Sequence, residues 1–115
     1  MYVKYRILQE ITPEGDWDDI GAITHWESEP PHLQLSGIVA HTVSRPIWRA
    51  IQERVEEQHL TLDTYHRALG EYERYYRILP EIYELEAETA AEIRRQIREK
   101  YVFKYEVPAA QPVAV

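Results

Sequence analysis

The side chains that could do chemistry in this 115-residue chain are carboxylates, histidines and serines, because cysteine is absent. Residues 16–27, DWDDIGAITHWE, have the spacing of a calcium loop, with acids at the first, third and twelfth places and glycine at the sixth. The fifth place should supply a side-chain oxygen but is Ile20, and the stretch runs towards Pro30 and Pro31 rather than into a helix. We therefore predict no specific calcium binding here, and we predict no cofactor elsewhere in the chain.

The histidines and serines give no compact catalytic motif. The five histidines at 25, 32, 41, 59 and 66 include no HExxH or His-x-His pair. No serine has the Gly-x-Ser-x-Gly context of a nucleophile elbow, and the four glycines form no phosphate-binding loop. The sequence therefore favours a non-enzymatic role. A small metal-assisted enzyme, using His25, His41 and the acidic loop, is an alternative.

The elements that would position these residues begin with strands. Period-two alternation predicts strands at 2–11 and 17–26, joined as a hairpin by a turn at TPEG, residues 12–15. A third strand follows at 32–43, with a bulge at Gly37. Ser44 and Pro46 indicate a helix start, and the apolar stripe beyond them predicts an amphipathic helix over 45–59.

From Leu62 to Ile97 apolar residues recur at alternating steps of three and four, which predicts a heptad-like helical seam. Pro80 must kink or break that helix, because its ring clashes with the preceding turn. Tyrosines concentrate on the seam, where they suit packing against the chain's own core, a partner interface or a small-ligand pocket. We predict that the seam mediates self-association, most simply as a twofold dimer. The predicted interface residues are Leu69, Tyr72, Tyr76, Leu79, Tyr83, Ile93 and Ile97.

Together these elements predict an α+β fold with the order β-β-β-α-α-α-β, in which helices cover one face of a small, mostly antiparallel sheet. The last strand is expected at 101–107, where alternation returns. The predicted organisation is a single domain over 1–107, whose helical part is 45–100, and a flexible tail over 108–115.

Composition limits the kinds of partner that the protein is expected to bind. A net charge of −7 is unfavourable for nucleic-acid binding, and no apolar run has the length of a membrane span. The N-terminus has no secretory pattern, which predicts a cytoplasmic protein. The leading hypothesis is thus a non-enzymatic protein–protein interaction protein that forms a homo-oligomer. An alternative is an acidic inhibitor that mimics nucleic acid and occupies a basic groove on another protein, through the cluster Glu81, Glu84, Glu86 and Glu88.

The segments YRILQE, GDWDDIGAI, SRPIWRAI and YEVPAAQPVAV also carry a resemblance. In their order they are similar to short uncharacterised proteins of phages and actinobacteria, which look like a hairpin, one helix and a closing strand. The resemblance covers about half of the chain and leaves 60–100 as an insertion. It implies an accessory protein of a mobile element, and it supplies no active residues.

Overall fold

The computed structural model describes residues 2–28, 32–40, 45–60 and 64–105, with side chains described for 2–25, 46–60, 64 and 66–105. The predicted cap Ser44, the prolines at 30–31, His41 and the tail 108–115 lie outside these residues. The described elements are β1 (Tyr2–Ile11), β2 (Trp17–Ser28), β3 (His32–Ala40), α1 (Arg45–Gln58), a 3-10 helix (Tyr65–Arg74), β4 (Tyr76–Ile78), β5 (Tyr83–Glu86) and α2 (Ala90–Lys100).

The hairpin predicted at the N-terminus is confirmed. Between β1 and β2 the Thr12 amide donates to the carbonyl of Asp16 (2.7 Å), and the Gly15 amide donates back to the carbonyl of Thr12 (2.9 Å). Gly15 has a φ of 89°, a backbone conformation that glycine adopts at little cost. The turn therefore closes where the sequence TPEG predicts it.

One sheet organises the molecule, and all of its described pairs are antiparallel. The order is β3-β2-β1-β4, and β5 pairs with the same side of β1 as β4, nearer the N-terminal end of that strand. In β2 the residue Ile20 is a bulge, since Leu8 pairs with Gly21 but Gln9 pairs with Asp19. A second irregularity lies at Ser36, beside the predicted bulge at Gly37. The α+β class is confirmed.

Helices cover both faces of the sheet, and the prediction of a single covered face is wrong. Alternation along β1 sends Val3, Tyr5 and Ile7 to the face under α2, and Leu8 to the face under α1. The buried residues of the α1 side are Leu8, Ile20, Ile23, Ile47, Trp48, Ile51, Val55, Ala68, Leu69 and Ile78. Those of the α2 side are Val3, Tyr5, Ile7, Ala22, Ala87, Ile93, Ile97 and Phe103.

The kink or break predicted in the helical segment 62–97 is confirmed as a break, but the residues on either side of Pro80 are strands rather than helix. The first part of the segment is a 3-10 helix interrupted at Gly70, which has a φ of 52°. Two short strands follow on either side of Pro80, and only 90–100 is α-helical. Strand β1 offers a second edge for pairing, and the hydrogen bonds formed there favour extended chain over helix for the tyrosine-rich residues.

The strand predicted at 101–107 is also wrong within the described residues, because 101–105 has no strand structure. Strand β1 has no edge to offer it, because β2 pairs on one side of β1 and β4 and β5 pair on the other. Instead the segment packs over the sheet: Phe103 is 1% exposed, and the Lys104 amide donates to the Asp19 carbonyl (2.8 Å). The alternation in this segment therefore reflects the single buried ring of Phe103 and not hydrogen bonding to a neighbouring strand.

Candidate interaction surfaces

The seven predicted interface residues divide between the two faces of the sheet. Leu69 belongs to the core on the α1 side, and Ile93 and Ile97 belong to the core on the α2 side. Their exposed fractions are 4%, 3% and 1%. Because these three side chains are covered within one chain, they leave almost no area for a partner.

The remaining four are less buried. Tyr72 and Tyr76 pack partly against the α1-side core, where their rings meet edge to face with centroids 6.3 Å apart. Leu79 packs partly against the α2-side core, and Tyr83 is 36% exposed. The tyrosines thus serve two different surfaces, which a single helical seam would not have separated.

Glu10 is the centre of a hydrogen-bonded cluster at the end of β1. Its carboxylate accepts from the Lys104 ammonium (3.0 Å), from the Tyr105 hydroxyl and from the Tyr76 hydroxyl. Burial alone would raise the pKa of Glu10, but these hydrogen bonds and the Lys104 charge outweigh it and lower that pKa. The hydrogen bond to Glu10 raises the pKa of Tyr105, and burial together with Glu10 raises the pKa of Tyr76. A carboxylate held ionised among hydroxyls held protonated is suited to fastening the chain rather than to moving protons.

His25 is fully buried on the α1 side of the sheet, opposite Lys4 in the register. Burial is the main cause that lowers its pKa to about 4, and the charges of Arg6 and Lys4 lower it further, against a hydrogen bond with the Ile23 backbone. The ring is therefore neutral at pH 7. Arg6 itself is 4% exposed, and its guanidinium donates to the carbonyls of Leu79 (2.6 Å) and Ile78 (3.5 Å).

The calcium-loop spacing falls on a strand. Residues 17–28 are β2, in which successive side chains point to opposite faces, so the acids do not encircle a common point. Asp18 lies 3.5 Å from the Lys104 ammonium, and Asp19 accepts from the Gln9 amide (2.8 Å). Among the described residues, no three His, Asp or Glu side chains are grouped so as to hold a metal ion.

Beyond α2 lies an end of the sheet that the described residues leave only partly covered: the buried residues of β1 on that face end at Ile7, and Gln9 and Trp17 are partly exposed. We call it the sheet-end patch: Gln9, Trp17, Asp19, Tyr75 and Arg77. The Arg77 guanidinium lies 4.3 Å from the centre of the Trp17 ring and donates to the Gln9 side chain (2.7 Å). Gln9 donates in turn to Asp19 (2.8 Å). Tyr75, 59% exposed, accepts through its carbonyl from the Ile11 amide at the same end of the sheet (2.9 Å).

A second aromatic group lies at the other end of β1. Tyr5 stacks on Tyr83 with ring centroids 5.3 Å apart, and its hydroxyl lies 3.3 Å from that of Tyr101. The Lys100 ammonium lies 5.2 Å from the Tyr83 ring centre and 5.7 Å from that of Tyr101. Burial, followed by the hydrogen bond with Tyr5, raises the pKa of Tyr101 to about 12.

Sequence reasoning missed Trp17 and Arg77 as surface residues and placed Tyr75 only beside the seam. The signal that could have found Arg77 is the alternation of Arg77 and Leu79 with Tyr76 and Ile78, which an extended segment puts on opposite faces. The helical period of the surrounding residues obscured it.

Comparison with family models, characterised proteins and solved structures finds no match. The resemblance to phage and actinobacterial proteins therefore stays a prediction. No helix among the described residues combines the length and the apolar character that a membrane crossing requires.

Proposed function

We propose that this chain is a non-enzymatic protein–protein interaction protein that self-associates, and that the contact is the sheet-end patch. The observation that carries the proposal is the Arg77 guanidinium 4.3 Å from the Trp17 ring centre, at the end of the sheet where Tyr75 is 59% exposed. Tryptophan, tyrosine and arginine are the residues enriched at binding hot spots. Here the arginine is already held by Gln9, so less side-chain entropy is lost on binding.

The partner that the charges favour is a second copy. Arg77 is exposed, and the turn next to Trp17 carries the exposed acids Glu14 and Asp16. A twofold axis through the patch brings Arg77 of each copy towards the acidic turn of the other, so both signs are matched in a single isologous contact. Such complementarity needs no further protein.

The described titratable groups support a non-enzymatic role. Glu10 is held ionised by three donors, and His25 is neutral and fully buried. His25 is therefore not accessible to a substrate, and the Glu10 carboxylate is engaged by three donors rather than free to accept a proton at neutral pH.

The test compares two double variants by sedimentation velocity. Tyr75→Glu with Arg77→Glu places like charges in the patch, and we expect dimer dissociation to rise by roughly 30-fold or more, as for loss of a hot spot of about 2 kcal/mol. The matched control is Val102→Glu with Arg94→Glu, which makes the same kinds of change at exposed positions outside the patch. Equal association of the two variants would rule out the patch as the contact, provided that both show the wild-type melting temperature.

A further inference from the structure

We propose that β5 binds an extended segment of another protein that adds as a strand to the sheet, with cationic side chains at alternate positions and apolar side chains between them. The proposal goes beyond self-association. It uses the half of the β4–β5 edge that carries Tyr83–Glu86, whereas the sheet-end patch lies beside β4.

The first support is the backbone. In the described part of the chain, β5 pairs with β1 alone, so its other side carries backbone groups to which a further strand can bond. An edge strand of this kind can bind an extended segment through main-chain hydrogen bonds, and alternate side chains then give the specificity.

The strand already paired with β5 shows which chemistry it accepts. In the register, Lys4 lies opposite Glu84, Val3 opposite Leu85 and Tyr5 opposite Tyr83. Cation faces carboxylate on one side of the sheet, while apolar and aromatic residues meet on the other. Such opposite-charge and aromatic cross-strand pairs stabilise adjacent strands.

The outer edge of β5 presents the same two kinds of side chain, acidic on one face and apolar or aromatic on the other. Glu84 and Glu86 are exposed on one face, where the Tyr2 hydroxyl hydrogen-bonds to Glu84 and thereby raises the pKa of Tyr2. On the other face Tyr83 is 36% exposed beside the partly buried Leu85. Two cations spaced two residues apart on an incoming strand would meet both carboxylates at once.

The same carboxylates make it unfavourable for β5 of a second copy to bind at this edge. Pairing of β5 with β5 of a second copy would bring the glutamates of both copies together, and like charges on an edge are a common protection against such pairing. A nucleic-acid mimic would display its charge without the apolar face of Tyr83 and Leu85. A cationic, alternating strand matches both faces.

The experiment uses the full-length protein and a capped peptide with the sequence of residues 2–8, YVKYRIL, whose Lys and Arg are two residues apart. Fluorescence anisotropy gives its Kd, and amide chemical shifts locate the contact. We expect shifts concentrated at 83–86. A scrambled peptide of the same composition should bind at least about tenfold more weakly, because main-chain pairing without the alternation loses one face.

Two further arms separate strand addition from general attraction of a cation to an acidic protein. N-methylation at alternate amides should abolish binding for one alternate set and spare it for the other. Glu84→Gln with Glu86→Gln should weaken binding about tenfold, whereas Glu56→Gln with Glu57→Gln, an equal charge change on the exposed side of α1, should not.

Equal binding of the scrambled peptide, or equal weakening by the two glutamine variants, overturns the proposal. The measurement is repeated on the Tyr75→Glu, Arg77→Glu variant, where binding should persist unchanged. The experiments can therefore refute the proposal of self-association and the proposal of strand addition independently of each other.

Discussion

At the scale of single residues, His25 ties the stability of the fold to pH. Its pKa of about 4 lies below the value of about 6.5 for an unfolded chain, so between these values the unfolded state binds a proton that the folded state does not. The stability that the neutral His25 ring contributes is therefore fully present above about pH 6.5 and is lost as the pH falls towards 4. Between pH 7 and pH 5 we expect the unfolding free energy to drop by about 2 kcal/mol from this residue.

Urea melts at the two pH values measure this loss. His25→Leu should remove the His25 contribution, so the variant should lose about 2 kcal/mol less than wild type between pH 7 and pH 5. His66→Ala, at an exposed histidine, is the control and should keep the wild-type pH dependence. An unchanged pH dependence in His25→Leu would show that His25 titrates normally.

Glu10 supplies a second prediction at this scale. Glu10→Gln places an amide NH2 among three donors, from Tyr76, Lys104 and Tyr105, and should cost about 1–2 kcal/mol of unfolding free energy. The same change at the exposed Glu14 in the β1–β2 turn is the control, expected to have almost no effect in urea melts at pH 7. Equal stability of the two variants would contradict a fastening role for Glu10.

At the scale of elements, the sequence predicts what has a single dominant period. Strands β1 and β2 and helix α1 lie where alternation and the apolar stripe place them. The residues around Pro80 carry a helical period but form strands, because they pair with β1. That partner lies more than 60 residues away in the chain. Local periodicity contains no information about that edge.

Gly70 gives the prediction for the 3-10 helix. It has a φ of 52°, and a Cβ there would overlap the Arg54 guanidinium, which donates to the Ala68 carbonyl (3.0 Å). Gly70→Ala should therefore strain the backbone and displace Arg54, with a loss of about 2 kcal/mol or more.

Gly15→Ala is the matched control for Gly70→Ala. Its φ of 89° imposes backbone strain, but nothing lies within 4 Å of an added Cβ. Thermal melts should show a smaller loss, of about 1 kcal/mol. A Gly70→Ala variant no less stable than Gly15→Ala would mean that the Arg54 contact contributes nothing.

At the scale of the whole molecule, the sheet creates the candidate site by bringing three distant segments side by side. Gln9 lies between Asp19 and Arg77 only because β1 lies between β2 and β4. The sequence contains all the residues of the patch but does not specify the strand order β2-β1-β4. The contact between Trp17 and Arg77 could therefore not be predicted from it. Self-association remains a proposal, and its proposed contact is the sheet-end patch rather than a helical seam.

Light scattering coupled to size exclusion tests the central claim most directly. At high micromolar concentration the wild-type chain should elute with twice the 13.7 kDa mass of one copy, while the Tyr75→Glu, Arg77→Glu variant elutes as a folded monomer. A wild-type mass of one copy at that concentration would contradict self-association through the sheet-end patch.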